Sequence, residues 1–165
     1  LGVPLEDFYT VGYEKEDLYG LFYEGGIIFH IDDSGEHGLV SAVEDVQSSV
    51  WGCFGSDMGV WDQSIGSGYQ NTLSILDGCS DRPIAASLAS EYEVGEYADW
   101  YLPSLEELRA MSGILKHQVS NLNWDKYWSS SEGSSSHART FDINPEVSIE
   151  SNKYNYHYIR PVRSF

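Results

Sequence analysis

The chain has 165 residues, of which 41% are hydrophobic and 14% are aromatic. This length and composition predict one folded domain and exclude a disordered chain, because a disordered chain has too few apolar residues to form a core. The 26 acidic and 9 basic residues give a formal net charge of -17, which would repel a nucleic-acid backbone. We therefore do not expect nucleic-acid binding. No apolar run approaches the roughly 18 residues of a membrane span, so we do not expect membrane insertion either.

The acidic excess has two interpretations: carboxylates can bind calcium, or they can keep a secreted protein soluble. The candidate calcium ligands are Asp32, Asp33 and Glu36, with a second group at Glu91, Glu93 and Glu96. Neither group follows the 12-residue ligand loop of known calcium-binding motifs. We therefore expect either no cofactor or a structural calcium ion.

Residues 1–24 mix acidic and aromatic side chains without a clear period, and we predict a lead-in, an edge strand or a docking segment before a domain at 25–165. The chain begins with Leu1, which suggests a processed chain or a fragment. The apolar strand pattern at 25–31, the turn residues at 32–35 and a return strand pattern at 38–43 predict a β-hairpin.

Residues 44–70 are rich in Gly and Ser and contain Trp51 and Trp61, which predicts a long loop pinned by aromatic side chains. Cys53 and Cys79 are the two cysteines of the chain. They either close one disulfide, worth about 3 to 4 kcal/mol in the chain-entropy model, or remain two buried thiols.

Helical spacing follows the cysteines. Residues 71–77 suggest a short helical turn, and residues 83–92 a longer helix. Ser104 and Glu107 form a capping-box pattern, which predicts a helix that weakens or ends near Gly113.

The rest of the chain alternates short apolar runs with Ser, Gly, Asn and Pro, which predicts strands at 127–131, 138–143 and 156–162. A strand pair, then helices, then several strands is the order of an α+β domain with an antiparallel sheet.

Six phrases, in this order, resemble the C-terminal domain family of the collagen-like adhesins over about residues 20–165. The phrases are Gly25-Gly26-Ile27-Ile28-Phe29, Gly38-Leu39-Val40-Ser41-Ala42, Trp51-Gly52-Cys53, Trp100-Tyr101-Leu102-Pro103-Ser104 with Glu107-Leu108, Tyr127-Trp128-Ser129-Ser130-Ser131-Glu132, and Arg160-Pro161-Val162-Arg163-Ser164-Phe165. The resemblance implies a C-type-lectin-like fold, with two helices packed on short antiparallel sheets with long loops. Phage tropism determinants and formylglycine-generating enzymes share that fold.

The resemblance also implies an extracellular module that recognises a surface glycan or protein receptor, displayed on a homotrimer or fibre at a cell, virion or tail surface. The alternative is a structural subunit that decorates a filament, phage tail or injection apparatus. We do not expect an enzyme, because the C-terminal cysteine pair of the formylglycine-generating relatives is absent from this sequence.

The C-terminal third combines rigid aromatic rings with adaptable polar side chains, as antibody binding sites do. The candidate ligand-binding residues are Trp124, Tyr127, Ser135, His137, Asn144, Asn152, Tyr154, Asn155 and Tyr156. The alternative is an ordinary polar loop region of a secreted protein. Arg160 and Arg163 are expected to pair with internal carboxylates.

The calcium-dependent lectins use a Glu-Pro-Asn loop and a Trp-Asn-Asp phrase. This chain has Asn144-Pro145-Glu146 in the reverse order, and Trp124-Asp125 without the intervening Asn. Recognition of sugars through calcium is therefore not the expected mode.

Overall fold

The computed structural model describes residues 3–118 and 121–165, so the first two residues of the predicted docking segment lie outside the described part. These residues form two β-sheets and four α-helices, which confirms the α+β class. The strands are β1 (Phe22–Tyr23), β2 (Gly26–Ile31), β3 (Gly38–Ser41), β4 (Val46–Ser49), β5 (Lys126–Glu132), β6 (His137–Asp142), β7 (Val147–Asn152), β8 (His157–Ile159) and β9 (Val162–Ser164). The helices are α1 (Leu5–Thr10), α2 (Gly68–Gly78), α3 (Ala85–Ser90) and α4 (Leu105–Gln118), with a 3-10 helix at Lys15–Leu18. None of the described helices is long and apolar enough to cross a lipid bilayer.

The first sheet joins the beginning of the chain to its end. Its order is β1-β2-β3-β9, with antiparallel pairing throughout. The predicted hairpin is confirmed as β2 and β3, and Asp32 closes its turn by accepting hydrogen bonds from the backbone of Ser34 and Gly35 at 3.0 and 3.1 Å. The last strand pairs with β3, where Leu39 lies opposite Ser164.

The second sheet has the order β4-β8-β5-β6-β7. Its most regular part is the hairpin of β6 and β7, which pairs every residue from His137 opposite Asn152 to Asp142 opposite Val147. The register of β5 against β6 shifts between Trp128 and Glu132. Such a bulge bends a strand and redirects its side chains, and here it carries Glu132 toward the 53–60 segment.

Two strands, β4 and β7, lie where no strand was predicted, and the single strand predicted at 156–162 is divided into β8 of the second sheet and β9 of the first. The 44–70 segment was expected to be a loop throughout, but Val46–Ser49 pairs with β8. This strand is short and half polar, so the hydrophobic pattern was too weak to reveal it. The edge strand β7 was also not predicted. Its apolar Val147 and Ile149 are 41% and 37% exposed and are not part of the core.

The capping box at the start of α4 is confirmed. The Ser104 hydroxyl accepts from the Glu107 backbone N–H at 3.3 Å, and the Glu107 carboxylate accepts from the Ser104 backbone N–H at 2.8 Å. The helix continues through Gly113 to Gln118, since buried Met111 and Leu115 hold it against the core on either side of that glycine.

Residues 3–118 and 121–165 contain four α-helices and not the two expected. The predicted turn at 71–77 extends to Gly68–Gly78, where Arg82 caps the C-terminal end by donating to the carbonyl oxygens of Cys79 and Leu76 at 2.7 and 3.2 Å. The predicted helix at 83–92 is shorter, at Ala85–Ser90. The backbone N–H of Ile84 bonds to the Ser87 hydroxyl at 3.0 Å, which starts that helix.

Three groups of buried apolar residues form the interior. The N-terminal segment contributes Leu5 and Leu18, which pack with Ile28, Val40 and Trp100. A second group contains Trp51 and Trp128, which lie between α2, α3 and the second sheet. The third lies between α4 and both sheets and contains Leu108, Met111, Tyr127 and Phe141. The 5–23 part of the predicted docking segment thus packs directly on the first sheet.

Two arginines near the C-terminus make internal ion pairs, as expected. Arg160 is fully buried, and its Nε lies 2.6 Å from the carboxylate of Asp45. Arg163 forms two hydrogen bonds with Asp99, at 2.7 and 3.1 Å, and contacts Glu24 at 3.2 Å. These pairs connect the last six residues of the chain to three distant parts of it.

Candidate functional site

The segment between β7 and β8 meets two other loops at the protein surface. The backbone N–H of Lys153 donates to the carbonyl of Ser136 at 3.0 Å, which joins this segment to the turn between β5 and β6. The backbone N–H of Gly55 donates to the carbonyl of Ser135 at 2.8 Å, which joins the same turn to the loop that follows Cys53. Three loops far apart in sequence therefore form one continuous surface.

Two aromatic rings dominate this surface. Phe54 and Tyr154 lie with their ring centroids 5.1 Å apart and their planes tilted by 50°. Although they contact each other, they remain 53% and 60% exposed. We call this pair the platform. Exposed aromatic rings held in a fixed geometry offer a large contact area at a low cost in conformational entropy.

A disulfide holds the Phe54 side of the platform. Cys53 and Cys79 form the predicted bond, which links the loop to the C-terminal end of α2. The backbone N–H of Cys53 also donates to the carboxylate of Asp81 at 2.9 Å. The residue next to Phe54 is therefore fixed by a covalent bond and a hydrogen bond.

A buried ion pair holds the Tyr154 side. Lys153 and Glu132 are both fully buried and contact each other directly. Lys153 also donates to the carbonyl of Ser56 at 2.8 Å and lies 4.6 Å from the ring centroid of Trp51, and so forms a cation–π contact.

The other partner, Glu132, anchors the loop that carries Phe54. Its carboxylate accepts hydrogen bonds from the backbone N–H groups of Met58 at 3.0 Å and Gly59 at 2.9 Å. One buried pair thus organises both segments of the platform.

Polar side chains surround the platform and are tied to the backbone beneath it. Asn152 accepts a hydrogen bond from the Tyr154 backbone at 3.3 Å, and Asn155 donates to the Ser151 hydroxyl at 3.1 Å. That hydroxyl also lies 2.7 Å from Nε2 of His157. Burial and nearby Lys126 lower the pKa of His157, so its ring is neutral at neutral pH.

The structure brings together six of the predicted ligand-binding residues. Asn152 ends β7, and Tyr154, Asn155 and Tyr156 follow it before β8. Ser135 lies in the turn between β5 and β6, and His137 begins β6. His137 pairs with Asn152 in the β6–β7 ladder, and its Nδ1 lies 2.8 Å from the Ser136 hydroxyl. Tyr156 is 69% exposed and also lines a cleft of about 180 Å³ with Asp125 and His157.

The other three predicted residues have different surroundings. Trp124 is 65% exposed and precedes β5, and Asn144 lies in the turn between β6 and β7. These two segments touch where the Ile143 backbone N–H donates to the Asp125 carbonyl at 3.1 Å. No contact between either residue and the platform is seen in the described part of the chain.

Tyr127 is a core residue and does not face a ligand. Its side chain is completely buried, and its hydroxyl donates to the Asp45 carboxylate at 2.7 Å. Burial and the Asp45 charge raise the pKa of Tyr127, so the hydroxyl stays protonated as a donor. The residues around Tyr127 in the sequence do not distinguish a buried tyrosine from an exposed one, but β5 places its side chain on the inner face of the sheet.

The predicted calcium ligands do not converge. The Asp32 carboxylate accepts hydrogen bonds from Ser34 in the hairpin turn, and these bonds lower the pKa of Asp32. Asp33 and Glu36 are exposed. Within residues 3–118 and 121–165, three potential metal-ligand atoms of His, Cys, Asp or Glu lie within 4.8 Å of one another only at Cys53, Cys79 and Asp81. There the two cysteines are joined as a disulfide and offer no thiolate.

All nine lysines and arginines contact an oxygen of the chain itself. Lys153 pairs with Glu132 next to the platform, and Arg139 of β6 pairs with Glu150 of β7 at 3.0 Å. The basic groups are thus committed internally, and the remaining carboxylates give the surface its negative field.

Sequence reasoning missed Phe54, Lys153 and Glu132. Phe54 lies in a loop of Gly and Ser, where nothing in the local pattern distinguishes an exposed aromatic from a buried one. Lys153 and Glu132 are 21 residues apart, and a charged residue within a polar segment is usually solvated. Their pairing depends on the bulge in β5.

No family model matches this sequence, and no curated protein is significantly similar to it. Among solved structures, the chain is similar to a fimbrial protein from Bacteroides ovatus ATCC 8483, with a TM-score of 0.57 and 14% sequence identity over 77% of this chain. The match covers 35% of the fimbrial protein, so this chain spans about a third of that protein's length. At this identity the similarity concerns the fold.

Proposed function

We propose that this protein is an extracellular receptor-binding or adhesion module that recognises a surface glycan or protein through the platform and its polar surroundings. The observation that carries the proposal is the exposed Phe54–Tyr154 pair, fixed on one side by a disulfide and on the other by a buried ion pair. Preorganised aromatic anchors bind with a small loss of entropy.

Other observations support this proposal. A disulfide suits an oxidising compartment outside the cytosol. The structural similarity of this chain to a fimbrial protein is consistent with a role at a cell or particle surface. Both cysteines are in the disulfide, so neither is a thiol nucleophile, and we propose binding without catalysis.

We also propose that the fold is C-type-lectin-like and that the protein belongs with the adhesin domains it resembles in sequence. The pairing of the final strand with the first hairpin, and the second sheet formed by the chain between them, support this assignment. A crystal structure compared strand by strand with that fold would test it, and a different connectivity would contradict it.

The functional test is binding of the purified protein to fractionated cell envelopes. We expect saturable binding, and we expect Phe54→Ala and Tyr154→Ala each to weaken it about tenfold or more. Tyr69→Ala is the matched control, because Tyr69 is 50% exposed but lies on α2. Binding that survives both platform substitutions would place the site elsewhere.

A structural decorating subunit is the second candidate function. The N-terminal segment exposes Val11 by 73% and Phe22 by 68%, and Phe22 borders a groove of about 340 Å³ with Phe8, Tyr23 and Tyr97. If this surface docks on a filament or tail, Phe22→Asp will abolish co-purification with the particle and Tyr154→Ala will not. If Tyr154→Ala loses both envelope binding and co-purification with the particle while Phe22→Asp keeps both, this candidate is rejected.

A further inference from the structure

Resting on the proposed binding role, we propose that the platform binds the pyranose rings of a neutral polysaccharide, directly and without a calcium ion. The first step of the argument is the shape of the site. Pyranose rings have apolar C–H faces that pack on exposed aromatic faces. Phe54 and Tyr154 are two exposed rings whose planes are tilted by 50°.

The second step is the chemistry around the rings. Sugar hydroxyls need neutral groups that both donate and accept hydrogen bonds, and amides and hydroxyls do both. Asn155 and Tyr156 are exposed beside Tyr154, and half-buried Asn152 and Ser134 lie at the adjoining edge. Hydrogen bonds hold three of these side chains in place: Asn152 accepts from the Tyr154 backbone, Ser134 from the His137 backbone, and Asn155 donates to the Ser151 hydroxyl.

The third step is charge. An anionic polysaccharide would need free cations, but every basic side chain already contacts an oxygen of the chain. Exposed Asp57 and Asp81 lie on the Phe54 side and would repel a carboxylate or sulfate. The net charge of -17 adds a long-range barrier.

The fourth step concerns calcium. A sugar held through calcium needs several converging carboxylate oxygens. In the described ranges no group of three acidic or histidine ligands converges at the platform, and the nearby Asp81 carboxylate adjoins a disulfide. Hydroxyl recognition there is consequently direct.

The test is affinity electrophoresis and calorimetry with soluble polysaccharides in the presence of EDTA. Mannan, dextran, laminarin and galactan are the neutral probes, polygalacturonate and heparin the anionic probes, and chitosan the cationic probe. We expect binding to at least one neutral probe, unchanged by EDTA or calcium. We expect about a tenfold loss for Phe54→Ala and for Tyr154→Ala, and a change within about twofold for Tyr69→Ala.

Phe54→Tyr keeps an aromatic face and should bind nearly as well as the parent protein, which separates loss of stacking from loss of folding. Binding only to anionic probes, only to chitosan, or only with calcium would overturn the proposal. So would full binding by both alanine variants.

Periodate treatment of the envelope fractions distinguishes this inference from the broader function. Envelope binding that survives periodate but is lost after protease would overturn the glycan proposal and leave the adhesion role intact. Binding to no polysaccharide and to no envelope fraction would overturn both.

Discussion

Lys153 and Glu132 form an ion pair in the interior, and each of them also fixes the loop that carries Phe54. Removing one partner leaves an uncompensated buried charge, which costs about 3 to 5 kcal/mol. We expect Lys153→Met to lower the free energy of unfolding by that amount in urea denaturation. The double variant Lys153→Met/Glu132→Gln should lose less than the single one.

Lys126→Met is the matched control for that experiment. In the parent protein, Lys126 pairs with Asp142 at an N–O distance of 3.6 Å, and the lysine side chain is one-third exposed. Pairs of this kind contribute about 0 to 1 kcal/mol. An equal loss for Lys153→Met and Lys126→Met would show that the buried pair has no special role.

The disulfide should contribute to stability through the unfolded chain. It closes a sequence separation of 26 residues, for which the chain-entropy model gives about 3.5 kcal/mol. We expect the double variant Cys53→Ala/Cys79→Ala to unfold at lower urea concentration and to bind envelope fractions more weakly, because the loop bearing Phe54 loses its tether. Unchanged binding by the folded double variant would mean that the Glu132 hydrogen bonds suffice to position Phe54.

His157 should make stability depend on pH. Burial holds its pKa in the folded state below the ordinary 6.5, so the unfolded chain binds a proton that the folded chain does not. The neutral His157 ring makes its full contribution to the free energy of unfolding above pH 6.5, and this contribution is lost as the pH falls below 6.5 toward the folded-state pKa.

The measurement compares the parent protein with His157→Gln in urea at several pH values between 7.5 and 5. We expect the parent protein to lose free energy of unfolding relative to the variant on acidification. The subtraction removes the titration of all other groups. A constant difference would contradict the lowered pKa, as would an NMR titration of the ring at or above 6.5.

Tyr127 should affect stability and not binding. Tyr127→Phe removes one donor to the Asp45 carboxylate, which keeps its contact with the buried Arg160. A hydrogen bond to a charged group contributes about 1.5 to 3 kcal/mol to stability. We expect a lower unfolding midpoint with unchanged affinity for envelope fractions. A loss of affinity in a variant of normal stability would return Tyr127 to the binding site.

Local chemistry in the sequence predicted the start of α4 and the first hairpin. Ser104 and Glu107 form their capping box within one turn, and Asp32 closes its turn over three residues. Such contacts depend on near neighbours, so a short pattern contains the information. The α+β class follows because the order of elements limits the possible layers.

The three-dimensional fold decided which polar and aromatic residues are buried. Tyr127 and Tyr154 look alike in sequence, but one lies on the inner face of β5 and the other on a surface loop. Lys153 resembles a solvated charge until the bulge in β5 brings Glu132 beside it. The sequence alone determined the composition of the C-terminal surface, with its Ser, Asn and Tyr. Only the tertiary structure placed Phe54 against Tyr154, because contacts between loops 100 residues apart depend on the packing of the whole chain.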